Sequence, residues 1–310
     1  MAKMARLALA LLSLLGVAGS GYAQGLARYE FQHPQMGTLF RIVLYARDSL
    51  QAHAAARAAF ARIDSLDAML SDYREDSELS RLSARAGDGA WIPVGDELWF
   101  LLHTSKQIAI LSDGAFDPTI GPLSKLWRKA IRQGEFPETA ALQAAKEKVG
   151  YQHLEFHESQ QMARLALPGM RLDLGGIAKG YAVDEAMAML RLHGIPVALA
   201  DGGGDLLAGE PPPGKTGWEV AIGSDTILTI ARQAVATSGD TYRYLDWQGR
   251  RYSHIIDPRT GLGVAHGWQV SVLAPGCTTA DALASVLGAE PALEKRIKRI
   301  FPEVEIIFRK

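Results

Sequence analysis

The sequence has little cysteine and no excess of charge of either sign. Cys277 is its one cysteine, which excludes an intramolecular disulfide and any metal site built from several thiolates. The 33 lysines and arginines nearly balance the 34 aspartates and glutamates, giving a formal net charge of −1. Nucleic-acid-binding proteins usually carry a basic excess or a basic face, so no nucleic-acid partner is expected. With 48% hydrophobic and 22% charged residues over 310 positions, the composition is typical of a folded globular protein.

No long apolar run follows the N-terminal segment Met1–Ala23, and the run inside that segment is too short to span a bilayer. Lys3 and Arg6 precede the apolar run, and Gly21 and Ala23 place small residues where a signal peptidase cleaves. We therefore predict that residues 1–23 are a signal peptide and that the mature protein is exported. No cysteine stands directly after the run, so a lipid-anchored form is not expected.

The order of predicted elements indicates the α+β class. Strand patterns occur in adjacent pairs, as at Arg28–Gln32 and Thr38–Tyr45 on either side of a Met36-Gly37 turn, as well as beside helices. Adjacent strand pairs favour antiparallel or mixed sheets over a doubly wound parallel sheet. Apolar residues at helical spacing predict helices over Ser49–Leu70, Gly95–Leu111, Thr139–Val149, Ile177–His193, Thr278–Gly288 and Pro291–Ile300.

The segment Leu172–Asp184, LDLGGIAKGYAVD, places two glycines and Lys179 where a strand ends and a helix begins. Free N–H groups at a helix N-terminus attract anions, and the lysine adds a full positive charge. Glycines at such a turn let the backbone approach a ligand closely. The same residues are also compatible with an ordinary capped helix carrying an exposed lysine.

The segment Thr278–Ser285, TTADALAS, places Asp281 and Ser285 four residues apart, on one face of the predicted helix. A carboxylate and a hydroxyl are hard oxygen donors of the kind Mg²⁺ prefers. The alternative is a structural helix start in which Asp281 interacts favourably with the helix dipole.

Three further segments contain residue types suited to chemistry or to ring binding. His254 follows a strand-like stretch, and histidine is the side chain best suited to proton transfer near neutral pH. Phe116 and Asp117 lie in a predicted loop, Asp113–Pro122, which is stiffened by glycine and proline. Met36 and Tyr73 could hold a flat heterocycle between them. Each of these also has a purely structural interpretation when taken alone.

Taken together and in this order, the segments resemble the ApbE family, the Mg²⁺-dependent FAD:protein FMN transferases. The resemblance spans nearly the whole chain after Ala23. The matching segments are MGT (Met36–Thr38), SDYREDSELSRL (Ser71–Leu82), DGAFDPTIGPL (Asp113–Leu123), LDLGGIAKGYAVD (Leu172–Asp184), DGGGDL (Asp201–Leu206), TSGD (Thr237–Asp240), SHIIDPRTG (Ser253–Gly261) and TTADALAS (Thr278–Ser285).

The resemblance implies an α+β fold related to the T-fold, with antiparallel or mixed sheets and packed helices. It implies one domain over residues 24–310, with two intertwined α+β subdomains as the alternative, and a periplasmic location. The implied reaction splits the pyrophosphate of FAD, transfers FMN to a Thr or Ser hydroxyl of another protein and releases AMP. The implied acceptors are flavin-carrying subunits or domains of membrane redox complexes.

The family pattern also implies the roles of individual residues. It implies Mg²⁺ held by Asp281, Ser285 and the backbone carbonyl of Gly176, with serine standing where the family usually has threonine. It implies proton transfer or phosphate orientation by His254. The implied FAD contacts are Met36, Tyr73, Ala115, Phe116, Asp117, Asp173, Lys179 and Ile255. Asp201 stands where members commonly carry a residue such as asparagine, which puts the local hydrogen bonding in doubt.

Two other functions are compatible with the same residues. With water as acceptor, the site would be an FAD pyrophosphatase that yields FMN and AMP. A periplasmic FAD-binding protein without turnover is the third hypothesis, although it would not need a metal site and a base. The sequence leaves a homodimer open and does not identify the acceptor protein.

Overall fold

The computed structural model describes residues 25–223, 226–239 and 243–310. The predicted signal peptide lies outside these residues. The strands are β1 (Ala27–Gln35), β2 (Thr38–Ala46), β3 (Ile92–Pro93), β4 (Leu154–His157), β5 (Met162–Leu165), β6 (Ala198–Gly202), β7 (Leu206–Ala208), β8 (Trp218–Ile222), β9 (Thr226–Ile230), β10 (Gln233–Ser238), β11 (Tyr244–Trp247), β12 (Arg250–Ser253), β13 (Ile256–Asp257), β14 (Leu262–Gly263), β15 (Gln269–Ala274) and β16 (Glu305–Arg309).

The helices confirm most of the sequence-based predictions. They are α1 (Ser49–Leu70), α2 (Glu78–Ala84), α3 (Asp96–Leu111), α4 (Gly121–Gln133), α5 (Thr139–Lys146), α6 (Ala178–Leu192), α7 (Cys277–Ala289) and α8 (Glu294–Ile300). None of the helices within the described ranges is both long and apolar enough to cross a membrane.

The main sheet has seven strands in the order β1-β2-β6-β7-β10-β15-β16, and every neighbouring pair is antiparallel. Its first hairpin turns at Met36 and Gly37, between the paired residues Gln35 and Thr38. Both turn residues have positive φ, 51° and 70°, as a type I′ turn requires. The predicted turn and the α+β class are therefore confirmed.

Side chains that alternate along the strands bury both faces of this sheet. Phe40, Ile42 and Leu44 of β2 pack into the core shared with α1, α6 and α7. Val43 points to the opposite face, which is covered by the β8–β9 hairpin through inward residues such as Trp218. The helices that carry the predicted metal and lysine residues thus rest on a sheet with no bare face at its centre.

A separate apolar cluster joins α4 and α5 to the segment that contains His254. Leu123 and Trp127 of α4 are buried against Leu245 of β11 and Ile256 of β13. The Trp127 indole N–H donates to the Gly261 carbonyl oxygen at 2.8 Å. This cluster fixes the position of the histidine segment without contributing residues to the main sheet.

Candidate active site

The predicted metal ligand Asp281 is buried where α7 crosses close to the start of α6. The backbone N–H of Gly180 donates to Asp281 Oδ2 at 2.9 Å. A Cβ at Gly180 would stand 2.3 Å from the Cys277 carbonyl oxygen and 2.7 Å from Asp281 Cβ, closer than packed atoms approach. Glycine at this position therefore lets the two helices meet and lets the carboxylate reach the α6 backbone.

Lys179 lies between two buried carboxylates. Its ammonium forms an ion pair with Asp205 and lies 3.7 Å from Asp281 Oδ2. Burial disfavours the ammonium, but the charges of Asp205 and Asp281 outweigh burial and raise the pKa of Lys179. Burial and the charge of Asp205 raise the pKa of Asp281 to about 7, although Lys179 and the Gly180 N–H oppose the shift. One lysine therefore does not fully compensate two carboxylates, and a cation would be stabilised here.

The other two predicted metal ligands lie beside each other, each four residues along the chain from the Gly180–Asp281 contact. A Cβ at Gly176 would stand 2.9 Å from Ser285 Oγ and 3.0 Å from Phe116 Cε2, so the Gly176 backbone, the Ser285 hydroxyl and the Phe116 ring lie together. Among the described residues, no three His, Cys, Asp or Glu side chains form a metal-binding group. Mg²⁺ often takes only one or two carboxylates and completes its shell with other oxygens and water. A carboxylate, a hydroxyl and a backbone carbonyl fit that requirement.

The Phe116 loop is held from within by Asp117. Asp117 Oδ1 accepts from the Thr119 N–H at 2.8 Å and from the Thr119 hydroxyl at 2.6 Å. Asp117 Oδ2 accepts from the Tyr151 N–H at 2.8 Å. Burial raises the pKa of Asp117 even though these three donors favour the carboxylate. The structure thus places both carboxylate oxygens in the loop framework, and the adjacent Ala115 and Phe116 are buried with it.

Asp173 and Tyr73 are connected by an arginine, Arg128, that no sequence motif indicated. Arg128 of α4 donates from Nη2 to Asp173 Oδ2 at 2.8 Å and from Nη1 to Asp72. The centre of its guanidinium lies 4.3 Å from the centroid of the Tyr73 ring. Asp173 Oδ1 in turn accepts from the Gly175 N–H at 2.8 Å, next to the predicted metal ligand Gly176.

Met36 lies at the tip of the first hairpin, beside the glycine-rich DGGGD turn. A Cβ at Gly203 would stand 2.0 Å from Thr38 Oγ1, which shows how closely the turn approaches this hairpin. Asp201 Oδ1 accepts from the N–H groups of Gly203 and Gly204, each at 3.0 Å. An aspartate oxygen therefore makes these turn hydrogen bonds, which answers the doubt raised by the departure from asparagine.

His254 is exposed and follows β12. Its Nδ1 lies 3.0 Å from the Arg243 carbonyl oxygen. A carbonyl can only accept, so this bond places the proton on Nδ1 and the lone pair of the neutral ring on Nε2. The neighbouring Ile255 lies against α7, because a Cβ at Gly288 would stand 3.4 Å from Ile255 Cδ1. The histidine segment thus rests on the helix that carries Asp281. Asp240 of the TSGD segment lies outside the described residues.

Two aspartates with structural roles were not assigned from the sequence. Asp184, near the middle of α6, accepts from the N–H groups of Cys277 and Thr278 at 2.7 and 2.8 Å and from the Thr278 hydroxyl at 2.5 Å. It therefore caps α7, whose own preceding residue, Gly276, has no side chain for this purpose. Asp205 holds Lys179. Both lie inside matched segments, but nothing in their local pattern indicated which distant group each would bind.

Comparison with known proteins identifies the family of this chain. The FAD:protein FMN transferase of Treponema pallidum is 32% identical, with 95% of this chain and 88% of that protein aligned. The enzyme of the same name from Escherichia coli strain K12 is 33% identical over 84% of this chain and 78% of that protein. The crystal structure of the apo form of Pseudomonas stutzeri flavinyl transferase ApbE superposes with a TM-score of 0.81 at 30% identity, covering 92% of each chain. The ApbE family model matches residues 36–308, and the chain belongs to the ApbE family.

Proposed function

We propose that this protein is an FAD:protein FMN transferase. It splits the pyrophosphate of FAD, joins the FMN phosphorus to the oxygen of a Thr or Ser hydroxyl on an acceptor protein and releases AMP. One phosphoanhydride bond breaks, one phosphoester bond forms, and the hydroxyl proton is taken up by a base. The observation that carries the proposal is the convergence of Gly176, Lys179, Asp281 and Ser285 where α6 and α7 meet.

The residues at this convergence suit a metal-bound pyrophosphate. Asp281 Oδ, Ser285 Oγ and the carbonyl oxygen of Gly176 would hold Mg²⁺, which supplies charge neutralisation to the pyrophosphate oxygens. Lys179 presents an ammonium to the same anion. Because Asp205 and Asp281 keep the lysine fully protonated, its positive charge persists at any physiological pH.

His254 is proposed as the base for the acceptor hydroxyl. With Nδ1 donating to the Arg243 carbonyl, the basic nitrogen is Nε2. Removing the hydroxyl proton there would make the oxygen a better nucleophile toward phosphorus. His254 is exposed, which suits a residue that has to meet a side chain of another protein.

We propose that the ring systems of FAD are contacted by the predicted FAD residues, which surround the proposed metal ligands. Phe116 lies directly beside Gly176, and Tyr73 is tied to Asp173 through Arg128. Met36 supplies an adaptable apolar side chain at the hairpin tip. Ala115, Asp117, Asp173 and Ile255 complete the proposed FAD contacts.

The setting of the reaction is also a proposal. The predicted signal peptide supports action in the periplasm, after export. The proposed acceptor is a flavin-carrying subunit or domain of a membrane redox complex, which would present its Thr or Ser hydroxyl to His254.

The test incubates residues 24–310 with FAD and Mg²⁺, with and without a flavin-carrier domain that bears a candidate acceptor threonine. In-gel flavin fluorescence after denaturation reports covalent transfer, and AMP is assayed in parallel. We expect a fluorescent acceptor band and an equal amount of AMP, both absent without Mg²⁺ and both absent in Asp281→Ala. AMP formed without any acceptor band would instead identify an FAD pyrophosphatase. FAD retained without AMP would identify a carrier.

A further inference from the structure

The side chain of Arg128 makes three contacts that join separate parts of the proposed FAD site. Its guanidinium lies over the Tyr73 ring, with 4.3 Å between the guanidinium carbon and the ring centroid. One edge donates to the Asp72 carboxylate and the other to Asp173 Oδ2 at 2.8 Å. Arginine alone among the side chains has a planar fork that can bind two carboxylates and stack on an aromatic ring at once.

The two carboxylates are buried and therefore depend on the positive charge of Arg128. The side chains of Asp72 and Asp173 are only 11% and 8% exposed. Burial and the nearby charge of Asp173 raise the pKa of Asp72, and Arg128 opposes that shift. Without the guanidinium, two buried carboxylates would lie together with much less positive charge to compensate them.

Tyr73 differs from its neighbours because it is 72% exposed, which is unusual for an aromatic residue in a folded protein. Arg128 occupies a position over the ring, so the open surface of Tyr73 is available to another flat group. The backbone just before it is also fixed, since Arg171 donates to the Asp72 carbonyl and the Ser77 hydroxyl donates to the Ser71 carbonyl at 2.6 Å. An exposed ring on a fixed backbone, held by a guanidinium, is ready to stack on a heterocycle.

Through its contact with Asp173, the guanidinium is also connected to the segment that carries the proposed metal ligand Gly176. Asp173 accepts from the Gly175 N–H at 2.8 Å and donates its own N–H to the Pro118 carbonyl at 2.9 Å. It therefore fixes both the turn that presents Gly176 and the end of the Phe116 loop.

We propose that Arg128 is a positioning residue for FAD. It holds the Tyr73 ring for stacking on one of the two heterocycles of FAD. Because it also binds Asp173, it fixes the position of that ring relative to the Asp173–Gly176 turn. Arg128 acts through Tyr73 and Asp173 and takes no part in bond making. This inference rests on the proposed function.

The test compares Arg128→Met and Arg128→Lys with Lys129→Met, a matched control at the next position of α4, where the side chain is exposed. FAD affinity is measured by quenching of flavin fluorescence on residues 24–310, and FAD KM and kcat by AMP release. Because an unfixed aromatic side chain has to be ordered on binding, we expect FAD to bind about three- to tenfold more weakly to Arg128→Met. Lys129→Met should bind FAD like the unaltered protein.

Arg128→Lys distinguishes positioning from simple charge balance. Lysine keeps a positive charge beside Asp72 and Asp173, so we expect the melting temperature to recover most of what Arg128→Met loses. It lacks the planar fork, so the FAD KM should stay raised about three- to tenfold while kcat at saturating FAD stays within about twofold. Complete recovery of FAD affinity in Arg128→Lys would show a structural charge only and would overturn the proposal. If Arg128→Met does not fold, Arg128→Lys still decides the question.

A double-mutant cycle with Tyr73→Leu tests whether Arg128 acts through the tyrosine. We expect Arg128→Lys to weaken FAD binding by less than twofold once Tyr73 is already leucine, because the ring to be positioned is gone. Fully additive effects would overturn the inference. Failure of the unaltered protein to bind FAD would overturn the proposed function and this inference together. Normal binding with unchanged variants would overturn this inference alone.

Discussion

Gly180→Ala tests whether the close approach of α6 and α7 builds the metal site. In an exposed helix this substitution would stabilise the protein by about 1 kcal/mol, because alanine has the higher helix propensity. Here the new methyl group would stand 2.3 Å from the Cys277 carbonyl oxygen, and a backbone carbonyl cannot move aside as a flexible side chain can. The substitution therefore forces the two helices apart.

The expected change in the free energy of unfolding combines two destabilising effects and one stabilising effect. Overpacking in a close-packed interior costs about 1–3 kcal/mol. Separation of the helices also breaks the 2.9 Å hydrogen bond from the Gly180 N–H to Asp281, and a hydrogen bond to a charged group contributes about 1.5–3 kcal/mol. After the gain in propensity, we expect Gly180→Ala to lower the free energy of unfolding by about 1.5–5 kcal/mol.

The assay is urea unfolding followed by circular dichroism, with Mg²⁺-dependent AMP release measured on the folded fraction. Arg191→Ala, at an exposed position near the end of the same helix, is the matched control and should leave both quantities nearly unchanged. A Gly180→Ala protein as stable as the original or more stable, with unchanged Mg²⁺ dependence, would refute the reasoning. It would mean that α6 and α7 do not need this approach.

Three further predictions concern the proposed ligands and base. Asp281→Ala should still fold, but it should lose Mg²⁺-dependent AMP release because the one carboxylate of the proposed metal site is gone. Full activity of this variant at limiting Mg²⁺ would contradict the assignment. Ser285→Thr should keep activity and lower the Mg²⁺ concentration at half-maximal rate by about two- to threefold, because the β-methyl restricts χ1 of the ligand. A Mg²⁺ titration measures this concentration, and an unchanged value would contradict the assignment of this hydroxyl as a ligand. His254→Ala should keep FAD affinity and lose about 10²–10⁴-fold in transfer rate, the usual contribution of a general base. Loss of FAD binding as well would indicate a structural histidine.

Local patterns predicted the secondary structure well wherever one signal dominated. The helix predicted over Ser49–Leu70 has those bounds in the structure, because its apolar residues keep the helical period throughout and Asp48 caps its start. The turn at Met36-Gly37 was predicted from its position between two strand patterns, and the structure makes it a type I′ turn. Both features are determined by interactions between residues that are close in sequence.

Helix α4 was not predicted, because its first residues look like the end of a loop. The loop was predicted to run through Gly121 and Pro122, yet the helix begins at Gly121. Proline in the first turn of a helix loses no hydrogen bond, since the first N–H groups have no partner within the helix. The tertiary packing of Trp127 and Leu123 then decides the structure of this segment. The omission also hid Arg128.

Residue types indicated several of the candidate site residues, but the partners of those residues could not be found from sequence alone. The i, i+4 spacing of Asp281 and Ser285 places both on one face of α7, as expected. That Asp281 would accept from Gly180, or that Asp184 would cap α7, depends on the packing of two helices far apart in the chain. The proposed roles of the site residues remain predictions that the experiments above address.

The wide sequence separation of the α6–α7 contacts has a consequence for folding. Gly180 and Asp281 are 101 positions apart, and Asp184 and Cys277 are 93 apart. Contacts so distant in sequence close long loops of chain, and proteins rich in them fold slowly. We therefore expect FAD-binding competence to appear late in folding. A single backbone cleavage in the chain between the two helices, followed by loss of the C-terminal fragment, would remove Asp281 and Ser285 and with them the proposed metal site.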